Sequence, residues 1–334
     1  MKSFICSILS IATCLVYPLA TAQDWQVART ASGVPNLEGY WTNETQTPLQ
    51  RDISLGNKLA LSADEAQAAE EQRRNYLEIA NSDIDPDRSA PTDGFVDASY
   101  NQFWLDGFDE MMTVNGEFRT SIIVDPPNGR IPFLPGRETP MYYVAPPPPG
   151  FTILDGPEVR PLGDRCLTSF GYHAGPVMLP FLYNNNYQIV QTPDYIVILV
   201  EMVHDTRIIR MKDSALPENM SQWMGDAIGH WEGDTLVVES RNFNANQHFF
   251  NASMDNLLIT ERFTRVAQDR INYKFSVDDL SAFSSQWSGE LPFVAKPAGE
   301  KIYEYACHEG NYALPSILAG ARVQEADAAK DAAK

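Results

Sequence analysis

The sequence predicts a mainly β fold in which an antiparallel meander closes into a barrel. Three predicted hairpins follow one another between Tyr187 and Val277, and a short polar turn separates the two strands of each. In the last strand Ile271, Tyr273, Phe275 and Val277 alternate with polar residues, as in a strand with one buried face. Barrel closure is the simplest way for such a meander to avoid exposed edges.

Residues 1–22 have the pattern of a signal peptide. Lys2 precedes an apolar run, and Ala20-Thr21-Ala22 provides small residues around a cleavage site near Ala22. The run is short for a membrane span, and no later stretch reaches that length. The sequence therefore predicts export to the periplasm or the medium, without a membrane span.

Residues 23–150 are predicted to form an extension that packs on the barrel. Ser62 and Glu65 have the spacing of a capping box, which predicts a helix that runs to about Ile79. A first strand is predicted from Phe118 to Val124. The four prolines at 146–149 exclude a central strand or a helix interior, so they indicate a linker or an extended segment.

Residues 151–320 contain the predicted antiparallel body, and residues 321–334 are predicted to be a flexible tail. The run from Ile196 to Val200 is apolar at every position, which predicts cover on both faces. The paired strands are predicted at Tyr187–Gln191 with Tyr195–Met202, at Ile228–Trp231 with Thr235–Ser240, and at Leu257–Val266 with Arg270–Val277.

Charge and motif content narrow the ligand classes. The formal net charge of −19 disfavours nucleic acid as a partner and leaves a small molecule as the expected ligand. The sequence has no glycine-rich phosphate loop or dinucleotide fingerprint, so no nucleotide cofactor is expected. The five histidines lack the spacing of a zinc site, and no metal is predicted, although a site assembled from distant segments stays open. The sequence does not indicate an oligomeric state.

Two cysteines, Cys166 and Cys307, remain after removal of the leader. In an oxidising compartment such a pair usually forms a disulfide. The alternative is a nucleophilic Cys307 beside His308, but adjacent residues of a strand point to opposite faces. The sequence favours the disulfide.

Two resemblances support this interpretation. Gly39-Tyr40-Trp41 near the first strand resembles the lipocalin or calycin signature, which implies a calycin-like barrel. Longer segments resemble an uncharacterised family of secreted bacterial proteins, which implies export and no particular activity. These segments are 35–41 (PNLEGYW), 187–195 (YQIVQTPDY), 201–205 (EMVHD), 231–238 (WEGDTLVV) and 303–312 (YEYACHEGNY).

A predicted strand from Glu201 to Arg210 carries the first group of candidate site residues. If the strand is regular, Glu201, Asp205 and Arg207 share one face, and His204 lies on the other among apolar side chains. A single imidazole in such a position is typical of a strand that lines a cavity, where it can transfer protons near neutral pH. A histidine bonded in the core is the alternative.

The C-terminal cluster carries the second group. Tyr305, His308 and Glu309 are polar groups dense enough to line the mouth of a pocket. The predicted disulfide would bring Arg165 and His173 close to them. The predicted catalytic residues are therefore His204, His308, Asp205 and Glu309, and the predicted substrate-binding residues are Arg165, His173, Arg207 and Tyr305.

Two functions fit this pattern. The favoured hypothesis is an exported enzyme without a cofactor that uses histidine acid–base chemistry, as a lyase, isomerase or hydrolase, on a small oxygenated molecule. The alternative is a periplasmic lipocalin-like binding protein for an apolar or aromatic ligand. A third possibility is an interaction module of the cell envelope.

Overall fold

The computed structural model describes residues 25–81, 87, 106, 108–138, 147–169, 175–181, 185–211, 214–217 and 219–333. Within these ranges the chain is mainly β, with two α-helices and three short 3-10 turns. The strands are β1 (Gly39–Thr42), β2 (Ala60–Leu61), β3 (Thr113–Val114), β4 (Glu117–Arg119), β5 (Ile123–Asp125), β6 (Asn186–Gln191), β7 (Tyr195–Val200), β8 (Thr206–Arg210), β9 (Asp226–Glu232), β10 (Thr235–Arg241), β11 (Leu258–Ala267), β12 (Arg270–Asp278) and β13 (Trp287–Ala295). The helices are α1 (Ala63–Ala80) and α2 (Ala313–Ala332), and the 3-10 turns are Ile53–Leu55, Pro157–Val159 and Met202–His204.

In the described part of the chain, nine strands close into a barrel. The strand order is β1-β6-β7-β8-β9-β10-β11-β12-β13, and β1 also pairs with β13. Trp41 shows the closure, because it is opposite Tyr187 of β6 on one side and Ala295 of β13 on the other. The strand β5 pairs with β13 outside the closed ring. The predicted barrel is confirmed.

One pairing departs from the meander. β8 and β9 are parallel, with Ile209 opposite Ala227, whereas the other barrel neighbours are antiparallel. A parallel pair needs a crossover connection rather than a tight turn, and residues 211–225 provide it. The barrel is therefore mixed, with two antiparallel runs joined at this point.

The barrel interior is filled by large side chains. Ile271, Tyr273, Phe275 and Val277 are all at most 2% exposed, which confirms the alternation predicted for β12. In β7, Ile196, Ile198 and Val200 are buried, while the two intervening residues are partly exposed. The prediction that both faces of this strand are fully covered is therefore wrong, because its outer face meets solvent in places.

The segment 175–181 adds to this filling. Val177, Met178 and Leu179 are at most 2% exposed. The backbone N–H of Met178 donates to the hydroxyl of Tyr273 at 3.2 Å, and its carbonyl accepts from Nδ2 of Asn43 at 2.8 Å. These bonds satisfy polar groups that would be costly to bury unpaired, and they hold the segment against the interior of the barrel.

Trp41 and Arg265 cover the barrel where β1 begins. Nε1 of Trp41 donates to the carbonyl of Leu37 at 3.0 Å, and the guanidinium of Arg265 lies 5.3 Å from the centre of the indole ring. Arg265 also donates to the carbonyl of Asn36 at 2.8 Å. A cation over an indole face is attracted by the ring quadrupole, so this contact fixes the entering chain to β11.

The extension contains α1 and contributes β5, which pairs with β13. The predicted capping box of α1 is present, since the Ser62 hydroxyl accepts from the N–H of Glu65 at 3.2 Å and the Glu65 carboxylate accepts from the N–H of Ser62 at 2.8 Å. The single strand predicted from Phe118 to Val124 is wrong. It divides into β4, which belongs to a small sheet with order β2-β4-β3, and β5, which joins β13.

The division between β4 and β5 has a local cause. The hydroxyl of Thr120 donates to the carbonyl of Lys58 at 2.6 Å, and the hydroxyl of Ser121 donates to the carbonyl of Ile123 at 2.7 Å. Hydroxyl side chains that bond the backbone in this way compete with a regular ladder. The chain therefore leaves one sheet and enters the other at this point.

The C-terminal region is helical. α2 extends to Ala332, so it includes most of the segment predicted as a flexible tail, and Ala321 is its buried residue. Arg322 anchors the helix by donating to the carbonyls of Leu154 at 2.8 Å and Asp155 at 3.1 Å. Cys307 lies in a turn rather than in the final strand that the sequence predicts. Among the described helices, neither is long and apolar enough to cross a membrane.

Candidate functional site

The turn between β7 and β8 interrupts the strand predicted from Glu201 to Arg210. β7 ends at Val200, a 3-10 turn covers Met202–His204, and β8 starts at Thr206. Val203 and His204 have left-handed backbone, with φ of 59° and 46°. This conformation is strained for a β-branched residue, and such strain is concentrated at functional sites.

The interruption changes the predicted faces. The N–H of Val200 donates to the carbonyl of Asp205 at 2.8 Å, which closes the turn. His204 is exposed, so the prediction that it lies on an apolar cavity face is wrong. Arg207, predicted on an outer charged face for substrate binding, is instead 1% exposed and points into the barrel.

Asp205 is the unusual titratable group of this turn. Its carboxylate accepts from the N–H of Ser169 at 3.2 Å. Burial raises the pKa of Asp205 to about 7, although the Ser169 bond and the nearby His204 oppose the shift. Desolvation disfavours the charged form of a carboxyl group. Asp205 therefore exchanges a proton near neutral pH, as a general acid or base must.

Glu201 connects the turn with the C-terminal segment. Its carboxylate accepts from Nδ2 of Asn186 at 2.8 Å and from the backbone N–H of Tyr303 at 2.6 Å. Asn186 in turn accepts from Nζ of Lys296 at 2.9 Å. The carboxylate is thereby fixed between β6 and the segment that follows β13.

Two further carboxyl groups near this network have raised pKa values. Burial is the largest cause for both Glu44 and Asp106, and the charges of the neighbouring carboxylates act in the same direction. Lys296 opposes both shifts. Asp106 accepts a hydrogen bond from Nδ2 of Asn185, the residue that precedes β6. Glu44 likewise accepts from the N–H of Phe108, so both carboxyl groups have hydrogen-bond donors within the protein.

The predicted disulfide between Cys166 and Cys307 is confirmed. Their Cα atoms are 5.8 Å apart, and the bond closes a loop of sequence separation 141. Asn311 strengthens the junction, because Nδ2 donates to the carbonyl of Asp164 at 2.7 Å and contacts Sγ of Cys166 at 3.7 Å. Since Ser169 follows Cys166 closely, the same segment contacts both the C-terminal turn and Asp205.

A cavity of about 750 Å³ lies at this junction, and we call it the disulfide cavity. Its walls come from the segment between Arg160 and Asp164, from Glu201, and from residues between Tyr303 and Ile317. The volume is within the range of about 300–1,000 Å³ that is usual for small-molecule sites. A strained turn, a carboxyl with a raised pKa and a cavity are therefore joined through Glu201 and the Cys166 segment.

The remaining predicted site residues lie in different places. Tyr305 lines the disulfide cavity, whereas His308 and Glu309 are exposed outside its walls. Arg165 is partly buried and donates to the carbonyl of Glu158 at 3.3 Å. Within the described ranges no hydrogen bond or ion pair joins His204 to His308. His173 lies outside the described residues.

Arg207 belongs to a buried polar group inside the barrel. Its guanidinium forms two hydrogen bonds with the carboxylate of Glu261, one of 2.9 Å, and the hydroxyl of Tyr273 donates to the same carboxylate at 2.7 Å. All three side chains are at most 1% exposed. The alternation of Ile259, Glu261 and Phe263 in β11 places a carboxylate inside, a signal that sequence reasoning missed. This group ties β8 to β11.

Other contributors were also missed from the sequence. Arg160 and Ser169 lie in an irregular segment, where no periodicity indicates which side chains point inward. Among the described residues, no group of three or more histidine, cysteine or carboxylate side chains is arranged to hold a metal ion. No family model, curated protein or solved structure matches this chain.

Proposed function

We propose that this protein is an exported enzyme that performs acid–base chemistry on a small oxygenated molecule, with Asp205 as the group that transfers the proton. The observation that carries the proposal is the pKa of about 7 of a partly buried carboxyl in the same turn as Glu201, which lines the disulfide cavity. A catalytic group works best when its pKa is near the working pH. Perturbed titratable groups close to a cavity are candidates for that role, and Asp205 lies four residues from the wall residue Glu201.

Asp205, His204 and Ser169 have separate roles in this proposal. Asp205 accepts a proton in its carboxylate form and returns it in its protonated form, which suits a lyase, isomerase or hydrolase reaction. His204 and the N–H of Ser169 favour the carboxylate, and burial favours the acid, so the two forms are balanced. Ser169 also fixes the orientation of the carboxylate. The histidine-based mechanism is thereby replaced by one in which His204 tunes the pKa of its neighbour.

The disulfide and the proposed leader support export. A disulfide persists in oxidising compartments outside the cytosol, and the leader pattern at residues 1–22 predicts secretion to the periplasm or the medium. Residues 1–22 lie outside the described structure.

The experiment compares wild-type protein with Asp205→Asn in extracts of culture metabolites, followed by mass spectrometry. We expect the wild type to consume at least one small molecule that the variant leaves unchanged. Asp255→Asn is the matched control, because Asp255 is exposed and distant in sequence from the turn. Consumption by wild type and Asp205→Asn at equal rates would contradict the assignment.

The second candidate is a binding protein for an apolar or aromatic ligand. The interior of the barrel is filled by side chains such as Trp287 and Phe293, both fully buried, so the ligand would occupy the disulfide cavity instead. Tyr303, Tyr305 and Ile317 in its walls favour such a ligand. Recovery of an unchanged molecule bound to the purified protein, without any turnover, would support this function.

A further inference from the structure

The walls of the disulfide cavity carry more negative than positive charge. Their charged side chains are Arg160, Asp164, Glu201 and Glu304. Arg160 pairs with Asp164, so these two charges compensate each other. Among the described residues, neither Glu201 nor Glu304 forms an ion pair. Two formal negative charges therefore remain at the walls without a positive partner.

The two unpaired carboxylates differ in what holds them. Glu201 accepts from Nδ2 of Asn186 and from the N–H of Tyr303, which are neutral donors that orient the carboxylate and leave its charge in place. Glu304 is exposed, and no hydrogen bond or ion pair from the described part of the chain holds its side chain. Opposite charges attract more strongly as a ligand excludes water from between them. A positively charged ligand is therefore favoured beside these two residues.

The start of α2 acts against a cation. Ala313 and Leu314 line the cavity, and the N-terminus of a helix is equivalent to about half a positive charge. Oδ1 of Asn311 accepts from the N–H of Leu314 at 3.3 Å, which satisfies one of the free amides at this end. Half a charge is smaller than the two unpaired carboxylate charges, so the walls as a whole still favour a cation.

Aromatic and aliphatic side chains complete the walls. Tyr303 and Tyr305 flank Glu304 in the sequence and line the cavity with it. Tyr303 is 77% exposed, so a ligand can reach its ring, and aromatic rings attract ammonium groups. Leu314 and Ile317 add aliphatic surface from the first turns of α2. Such surface favours an apolar body, because its burial removes both surfaces from water.

We propose that the disulfide cavity binds an organic ammonium ion with an apolar body, whose positive charge is attracted by Glu201, Glu304 and the ring of Tyr303. The substrate of the proposed enzyme is then a small oxygenated molecule that also carries an ammonium group, and only this identification rests on the proposed function. The binding itself depends on the cavity walls and not on Asp205.

The test compares three probes that share a naphthalene ring: 2-naphthylmethylamine, 2-naphthalenemethanol and 2-naphthylacetate. The amine and the alcohol are similar in size and differ in charge at neutral pH. Dissociation constants are measured by titration calorimetry at low ionic strength and again in concentrated sodium chloride. We expect the amine to bind about tenfold more tightly than the alcohol at low ionic strength, and the acetate to bind most weakly. Concentrated salt should reduce the difference between amine and alcohol to less than about threefold, because it screens the charges.

Glu304→Gln tests the charge of the walls. It removes one negative charge with little change in size, so it should weaken amine binding by about threefold to fivefold and leave alcohol binding unchanged. Glu309→Gln is the matched control, because Glu309 is exposed in the same segment and is not a wall residue. The control separates the cavity from the negative charge of the whole chain, and it should keep the wild-type difference between amine and alcohol.

Further variants test the ring and the location. Tyr303→Leu should reduce the preference for the amine over the alcohol by about twofold to fivefold, whereas Tyr303→Phe keeps the ring and should retain the preference. Ile317→Trp fills the cavity from a wall residue and should weaken the binding of amine and alcohol alike. Val323→Trp is its control, because Val323 is 62% exposed on the same helix and is not a wall residue.

Several outcomes would overturn the proposal. Equal binding of amine and alcohol to the wild type, or tighter binding of the acetate, would exclude the cationic ligand class, and absence of binding by all three probes would remove the site. An equal loss of amine affinity in Glu304→Gln and Glu309→Gln would assign the preference to the overall charge of the chain. If the amine binds as expected while Asp205→Asn and wild type show equal turnover in metabolite extracts, the cavity stands and the proposed catalytic role fails. If Asp205→Asn loses turnover but the amine has no advantage, the catalytic role stands and the ligand class fails.

Discussion

At the residue scale, the feature that sets the chemistry of the turn is the left-handed backbone of Val203 and His204. A β-branched residue in this region costs about 1–3 kcal/mol, so surrounding structure must hold it. The pairing of Leu199 with Thr206 and the bond from Val200 to Asp205 do so. As a result His204 faces solvent, while the carboxylate of Asp205 meets the N–H of Ser169.

The raised pKa of Asp205 predicts a pH-dependent cost to stability. The carboxyl titrates near 3.8 in the unfolded chain and near 7 in the folded protein, so the folded state binds the proton more tightly. Its stabilising contribution is fully present below about pH 4 and is lost as the pH rises to about 7. Asp205→Asn cannot ionise, so it should become more stable than wild type by about 1–4 kcal/mol above pH 7.

Urea unfolding of both proteins at several pH values between 4 and 8 measures this difference. The exposed Asp255→Asn variant should show no such trend. A constant difference between wild type and Asp205→Asn over the whole range would mean that the carboxyl titrates alike in the folded and unfolded states.

At the residue scale, the sequence predicts the position of a side chain only where the backbone is regular. A regular strand from Glu201 to Arg210 places Asp205 on a charged face and His204 on the opposite face, so the sequence predicts the imidazole as the acid–base group and Asp205 as its partner. Two consecutive left-handed residues without glycine cannot be read from residue preferences. The pKa of Asp205 depends on Ser169 and on burial by distant segments, and neither has a local signature.

At the element scale, the buried pair Arg207–Glu261 ties two barrel strands that are not neighbours in the sheet. β8 and β11 are separated by β9 and β10 in the strand order, and the pair crosses the interior between them. The hydroxyl of Tyr273 adds a bond from β12. Burying two charges is costly, and the paired guanidinium nitrogens together with the Tyr273 hydroxyl offset that cost at the carboxylate.

This arrangement predicts strongly non-additive substitutions. Arg207→Met should lower the free energy of unfolding by about 3–5 kcal/mol, because it leaves the Glu261 carboxylate buried and unpaired. Glu261→Leu should have a similar effect, and the double variant should lose much less than the sum of the two. Denaturant unfolding of the four proteins gives the coupling energy directly.

Arg241→Met is the control for this comparison of single and double variants. Arg241 pairs with Glu239 at the surface at 3.0 Å, with both side chains about half exposed, and such pairs contribute about 0–1 kcal/mol. Additive effects at Arg207 and Glu261 would show that the two charges do not depend on each other for burial.

The hairpins are the elements that the sequence predicts best. β6 with β7, β9 with β10, and β11 with β12 are all present, because alternation and turn residues are local signals. The parallel pairing of β8 with β9 was not predicted, since it depends on where the crossover at 211–225 places the next strand. The split between β4 and β5 was not predicted, because it depends on the bonds that the hydroxyls of Thr120 and Ser121 make with backbone carbonyls.

At the scale of the whole molecule, closure of the barrel and the disulfide join different parts of the chain. Closure depends on β1, which reaches the barrel from the N-terminal extension and pairs with β6 and β13. The disulfide joins two segments outside the ring, before β6 and after β13. The sequence predicts both features, because the cysteines flank the predicted strands and the strands need a closed edge.

The position of the disulfide predicts that its loss lowers the free energy of unfolding but leaves the folded barrel intact. The double variant Cys166→Ser/Cys307→Ser should lose about 4–5 kcal/mol of unfolding free energy if loop entropy of the unfolded chain dominates. The barrel pairings do not include either cysteine, so the near-ultraviolet circular dichroism of the buried Trp41 and Trp287 should be retained. Amide hydrogen exchange should become faster between Tyr303 and Ile317, because this segment is then held by fewer contacts.

Hydrogen bonds of Glu201 and Asn311 still hold the wall of the disulfide cavity in that variant. Their bonds to the N–H of Tyr303 and to the carbonyl of Asp164 are independent of the sulfur atoms. Adding Glu201→Gln to the double cysteine variant should therefore speed hydrogen exchange between Tyr303 and Ile317 more than Glu201→Gln does in the disulfide-bonded protein. If loss of the disulfide instead abolishes the tryptophan signal, the Cys166–Cys307 bond supports the barrel itself, because the segments that it joins would then be needed for closure.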